Sequence, residues 1–222
     1  MEPDAACAVV DDRLKVGFGL LAPMLEDTAP RVLQTAVLLQ ANTMVGSNGA
    51  MLIETFHGID LPPGIMVPRA TALAISKCPK KLAQFGFSQN SVTFYYEDGS
   101  FIKSQLFSGQ YPDYRAVFSD NCNYWPLPDG FFEGIKAIET FSKASTNVVE
   151  FTSEGMRVFA EDGRTESGAF EIEGLPPNRR FNIDFLKISM SVLHRIDLAT
   201  DESALMFLSE DGNTRGVIKG LR

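Results

Sequence analysis

Two histidines stand near acids. His57 follows Glu54 by three residues, and His194 precedes Asp197 by three. Such a pair can do general acid–base work, because a carboxylate that holds an imidazole helps it take and return a proton near neutral pH. No further element completes a site: GxSxG, GxxxxGK[ST], HExxH and GxGxxG are all missing from the chain. Asp11-Asp12 and Glu97-Asp98 carry the oxygens a hard cation needs, yet both pairs read as solvated turn residues. Cys7, Cys78 and Cys122 are odd in number and far apart, with no CxxC. That pattern opposes a disulfide framework and a structural zinc site. Cys78 ends an apolar helix and reads as core rather than nucleophile. No catalytic residue, metal or cofactor is expected.

The basic residues are more informative. Lys77, Lys80 and Lys81 cluster at the end of one predicted helix, Lys136 and Lys143 lie seven apart on a second, and Lys187 and Arg195 fall on a third. The second and third sets lie off their helices' apolar stripes. They read either as ordinary solvated helix surface or as a basic face that neutralises phosphates without reading bases. The formal charge is −8, from 28 acidic and 20 basic residues. This excludes a uniformly basic nucleic-acid binder but allows a basic surface segregated from acidic ones.

These residues need elements to position them. With 222 residues the chain suits one large domain or two smaller ones. Residues 1–12 read as an irregular tail. A strand is expected over 14–19 and a brief helix over 20–26. Strands follow at 32–39 and 50–56, around the turn Gly46-Ser47-Asn48-Gly49. Pro68 opens a helix whose buried stripe is Ala70, Leu73, Ala74 and Cys78, and a hairpin spans 91–107.

The order then repeats. Phe131, Phe132, Ile135, Ile138 and Phe141 line a helix. Strands are expected at 148–151, 156–160, 166–172 and 180–183. A last helix carries Phe185, Ile188, Val192 and Leu193, and a hairpin closes the chain. This repeated order is evidence of duplication, with domains at 13–118 and 119–222. Between them lies Tyr111-Pro112-Asp113-Tyr114-Arg115, read as a joint rather than a catalytic loop. The scattered cysteines fit a reducing cell interior. No charged start leads into an apolar core, and no run approaches the roughly 18 apolar residues of a membrane span. A cytoplasmic location without a membrane partner is expected.

The stretch Phe107-Ser108-Gly109-Gln110-Tyr111-Pro112-Asp113-Tyr114-Arg115 resembles the G-x-F-P-D-Y-R joint of the bacterial DNA polymerase III beta subunit, the sliding clamp, with Tyr111 in place of phenylalanine. Val67-Pro68-Arg69 is similar to the V-P-R that opens a second helix there. Residues 180–186 are similar to the G-F-N-V-x-Y-L of the last domain, and Val217 to Arg222 to the terminal V-M-P-M-R-L. Together these matches run over roughly residues 30–222.

The resemblance implies an α+β DNA-clamp fold, with duplicated domains, antiparallel sheets outside and two helices per domain inside. It implies a processivity factor that encircles duplex DNA without sequence specificity and binds DNA polymerase and clamp loader through short linear peptides. Family members close a ring of six domains, so three copies of a two-domain chain, a homotrimer of phage or bacterial origin, would close the same ring. Subunit contacts through exposed edge strands are expected near 91–107 and 156–172. The peptide pocket carries over to Gly49, Ala50, Met51 and Leu52 with Val217, Ile218, Leu221 and Arg222. Ala50 and Met51 stand where the family has His and Arg, Lys219 and Gly220 where it has Met and Pro, and Ser119 where the joint ends in proline. These pocket residues also read simply as alternating strand positions. The alternatives are a clamp-fold binding or regulatory protein that does not encircle DNA and, behind it, an enzyme of unknown class.

Overall fold

The computed structural model describes residues 2–31, 34–142 and 147–221. The chain forms two compact units, Met1–Ala116 and Val117–Arg222. In the first unit the order is β1 (Ala6–Val9), α1 (Arg13–Leu21), a 3-10 turn at Ala22–Met24, β2 (Ala36–Leu39), β3 (Thr43–Ser47), β4 (Met51–Phe56), β5 (Ile65–Pro68), α2 (Arg69–Lys77), β6 (Leu82–Phe87), β7 (Ser91–Tyr96) and β8 (Phe101–Gln105). In the second it is β9 (Trp125–Pro126), α3 (Phe131–Ser142), β10 (Val148–Thr152), β11 (Gly155–Phe159), β12 (Glu166–Glu171), β13 (Arg179–Asn182), α4 (Ile183–Ser189), β14 (Arg195–Asp197), β15 (Ala204–Leu208) and β16 (Thr214–Lys219).

The two lists have one plan: strand, helix, four strands, helix, three strands. Pairing repeats with it. The first unit has antiparallel sheets ordered β5-β2-β3-β4 and β1-β6-β7-β8, and the second has β13-β10-β11-β12 and β9-β14-β15-β16. The duplication expected from element order is therefore present in the strand order of the sheets, although the two halves differ in sequence.

Each unit buries its helices against its sheets. In the first, Leu14, Phe18 and Leu21 put one face of α1 into the core, where Phe18 meets Phe94 edge-on at 5.7 Å and Phe94 meets Phe85 at 5.4 Å. In the second, Phe131, Ile135 and Ile138 are buried hydrophobic residues of α3, with Phe131 against Phe151 at 5.9 Å and Phe151 against Phe181 at 5.3 Å. Close helix–sheet approach uses bare positions: a Cβ on Gly134 would come within 2.8 Å of Phe170.

Several sequence expectations are corrected. The tail is not irregular throughout, because Ala6–Val9 pairs with β6. The strand expected at 14–19 is part of α1: Leu14, Phe18 and Leu21 repeat at helical spacing, and tertiary burial of that stripe overrides the short apolar run. The α2 stripe is Ala72 and Ile75, with Ala70 and Ala74 exposed. Pro68 ends β5 and precedes the helix, which starts at Arg69. The last helix stops at Ser189, so Val192 and Leu193 lie beyond it and Arg195 belongs to β14. Of the strand expected at 32–39, Val32 and Leu33 lie outside the described residues.

Candidate functional site

The residues Tyr111 to Arg115 lie at the end of the first unit, packed on β4. Tyr114 is buried and its hydroxyl donates to Glu54 Oε1 at 2.8 Å. The Thr43 hydroxyl reaches the same oxygen at 3.3 Å. Burial, and then this bond to a carboxylate, pushes the Tyr114 phenol above its ordinary pKa. Tyr111 meets the Tyr114 ring edge-on at 6.2 Å, and the Arg115 guanidinium sits 5.9 Å from the Tyr114 centroid. The Asp113 carboxylate accepts from the Arg115 amide at 3.2 Å and tightens the turn. Leu38, Gln40 and the loop 110–115 line a cavity of about 270 Å³. The motif's side chains thus anchor the loop to its own sheet.

The histidine pairs do not form. Glu54 Oε1 is engaged by Tyr114 and Thr43, while His57 Nδ1 accepts from the Ile59 amide at 3.1 Å. Burial pushes the His57 pKa down and favours neutral imidazole. Asp197 accepts from the amides of Asn123, Ala199 and Thr200 at 2.7–3.0 Å. It ties loops together, and His194 turns instead toward Glu210 at 4.0 Å. Among the described residues no group of three or more His, Cys, Asp or Glu is placed to hold a metal ion.

The seven expected phosphate-facing cations divide by environment. Lys77, Lys81 and Lys136 are exposed. Lys80 pairs with Asp98 at 2.7 Å, and this lysine, with Ser100, holds the Asp98 carboxyl well below its ordinary range. Lys187 pairs with Glu139 at 2.6 Å. Arg195, in β14 rather than on a helix, donates to the carbonyls of Ser209 and Glu210. Lys143 lies outside the described residues. On α1, Arg13 pairs with Asp11 and Lys15 with Asp12, and Val16, directly after Lys15, is 74% accessible.

The expected peptide-contact residues also divide. Gly49 and Ala50 sit in the turn after β3, where Asn48 Oδ1 accepts from the amides of Ala50 and Met51 at 3.0 and 2.8 Å. Met51 is 1% exposed and Ile218 0%. Leu52 and Val217 are also buried, whereas Leu221 is exposed and its amide donates to Arg180 O at 2.8 Å. Arg222 lies outside the described residues.

Two features were missed in the sequence. Arg69 donates to Ala22 O at 3.1 Å and pairs with Asp27, tying the start of α2 to the turn after α1. Asp4 is buried under three sheet side chains. The Pro-Arg step signalled the first, but no pattern in eight small and polar residues signalled the second.

No protein-family model and no curated protein matches the chain. Solved structures do. The chain is similar over its full length to 67% of a DnaN sliding clamp (DNA polymerase III subunit beta) from Bartonella birtlesii bound to griselimycin, with 17% identity and a TM-score of 0.80. It is similar to 67% of the Helicobacter pylori beta clamp bound to a DNA ligase peptide, with 16% identity and a TM-score of 0.78. It is similar to 68% of the Pseudomonas aeruginosa DNA polymerase III subunit beta, with 14% identity and a TM-score of 0.76. The fold is α+β and of the clamp type, with antiparallel sheets and paired helices in each unit.

Proposed function

We propose that the chain is a non-catalytic, sliding-clamp-like processivity factor that encircles duplex DNA as a head-to-tail homotrimer. The observation that carries this reading is the repeated strand order in two units whose full length matches solved clamps. Three copies supply six such units. Cyclic symmetry then closes a ring without a new kind of contact. The strands β8 and β12 are free outer strands of their sheets, one inside each stretch expected to hold an edge, and they pair across copies. Lys77, Lys81 and Lys136 contact phosphates loosely, so retention depends on topology rather than on base readout. Gly49, Ala50, Met51 and Leu52 of the first unit, and Val217, Ile218, Leu221 and Arg222 of the second, are the residues assigned to polymerase and loader peptides. Absence of a long apolar helix among the described residues is compatible with action on cytoplasmic DNA.

Light scattering over a concentration series tests the ring. A mass of three times 24.4 kDa, together with retention on circular but not linear duplex DNA, is the expected result. A monomer or dimer at every concentration overturns it. The ion pairs of Lys80 and Lys187 favour a second reading, a clamp-fold binding protein that does not encircle DNA, because those two lysines already have carboxylate partners.

A further inference from the structure

The sheet β1-β6-β7-β8 carries a polar groove on the face opposite its core. The register places Gly86 opposite Thr93 and Thr93 opposite Lys103, one row across three strands. Ser91 and Tyr95 flank Thr93 at alternate positions of β7, so they share its face. Residues 2–5 cross this row. Asp4 is 8% exposed, and its carboxylate accepts from Ser91 Oγ at 2.8 Å, Thr93 Oγ1 at 2.9 Å and Lys103 Nζ at 3.3 Å. The Asp4 amide donates to Thr93 Oγ1 at 3.0 Å, and the Asp4 carbonyl accepts from Tyr95. Lys103 also donates to the Glu2 carbonyl at 2.8 Å. One carboxylate and two main-chain carbonyls are therefore met by four sheet side chains, the kind of complementarity by which a surface recognises an extended peptide.

Gly86 supports this account. Its backbone does not need glycine, since it is not among the positive-φ residues. A Cβ there would lie 2.5 Å from Ala5 O and 2.7 Å from Asp4 O. The bare position serves the close approach of the crossing segment.

The rest of the arm is held by main-chain pairing and buries little apolar surface. β1 pairs with β6 around a bulge between Ala6 and Ala8. Ala6 and Cys7 are exposed, and Val9 is 78% accessible, so apolar burial contributes little to its attachment. Side-chain recognition of the occupant is concentrated at Asp4, while Ala6, Ala8 and Val9 add main-chain pairing with β6.

We propose that this groove is a docking site for an extended peptide bearing one aspartate followed by small residues, and that the chain's own residues 2–9 occupy it as a removable plug. This goes beyond the clamp reading and does not depend on ring closure. The probe is a labelled peptide, EPDAACAV, added under reducing conditions to the full-length protein and followed by fluorescence anisotropy. Asp4→Ala loosens the arm, and Gly86→Ala displaces it by a different route; both are checked for folding by circular dichroism. Hydrogen exchange across Ala6–Val9 is expected to quicken about ten-fold in Asp4→Ala. That variant is expected to bind the peptide about ten-fold more tightly than the wild type, whose site is filled. A peptide with alanine in place of its aspartate should lose about ten-fold in affinity, as should the Asp4→Ala protein when Lys103 is also changed to Gln. Equal binding of the two peptides overturns the proposal. So does unchanged exchange in both Asp4→Ala and Gly86→Ala. A monomeric mass alongside selective peptide binding would sink the ring and leave this site standing.

Discussion

The Tyr114 hydroxyl donates to Glu54 Oε1 across 2.8 Å inside the first unit. It fastens the loop that follows β8 to a strand 60 residues earlier in the chain. Tyr114→Phe keeps the ring packing and removes the donor, which leaves a buried carboxylate oxygen less well satisfied. A loss of about 1–3 kcal/mol is expected, read as a lower urea midpoint, with faster proteolysis within the loop 110–115. An unchanged midpoint and cleavage rate would show that the bond does not hold the loop.

The second unit has a backbone position that only glycine fills. Gly155 opens β11 with φ +139°, and a Cβ there would lie 2.1 Å from Phe170 O and 2.7 Å from Ile172 N. These are main-chain atoms of β12 and the residue after it, so they cannot swing aside as a side chain would. Gly155→Ala is expected to cost about 2–5 kcal/mol by strain and clash together. Thermal unfolding followed by a probe in the second unit measures it.

If the helices meet phosphate, the environment of each lysine decides its weight. Lys136 is exposed, whereas Lys187 is held by Glu139. Lys136→Gln should weaken duplex binding and lower the slope of log affinity against log salt by about 0.9. Lys187→Gln should change the slope less, because that lysine already has a partner. Anisotropy titrations at several salt concentrations distinguish the two, and equal effects would count against this assignment of the helical faces.

The seat of the N-terminal arm is expected to respond to acid. Burial raises the Asp4 pKa, but hydrogen bonds from Ser91, Thr93 and Lys103 outweigh it and hold the group below its ordinary value. A group depressed in the folded state stabilises that state fully above its unfolded pKa, about 3.9. The stabilisation is lost as pH falls through the lower folded value. Lys103 and Tyr95 are the other titratable groups on the seat. Protection of the Ala6–Val9 amides, taken relative to their intrinsic exchange rates, is therefore expected to fall below about pH 4 in the wild type and to show no such step in Asp4→Asn.

Local chemistry made much of this protein legible. The phenylalanine and isoleucine spacing of α3, the hairpins after residues 91 and 203, and the turn at Asn48-Gly49 depend on contacts within a few residues, and they were readable as periodicity and turn type. So was the repeated order of elements. The Pro-Asp-Tyr-Arg stretch could be read as a joint from the repeated element order and by resemblance, but not the reason Tyr114 belongs there. Its partner Glu54 lies on a strand far away in sequence, and only the folded chain brings the two together.

The strands that were missed, β1, β3, β6, β9 and β14, are short or broken in pattern, and pairing with a neighbour rather than intrinsic preference makes them strands. Lys80 and Lys187 looked like free surface charge until Asp98 and Glu139 were placed beside them. The sequence alone determined the periodic elements, the turns and the duplication, because these are written in near neighbours. Tertiary structure decided which charges are spent on one another, which glycines admit a crossing backbone, and that Asp4 is buried, because each depends on residues that meet only after the chain has folded.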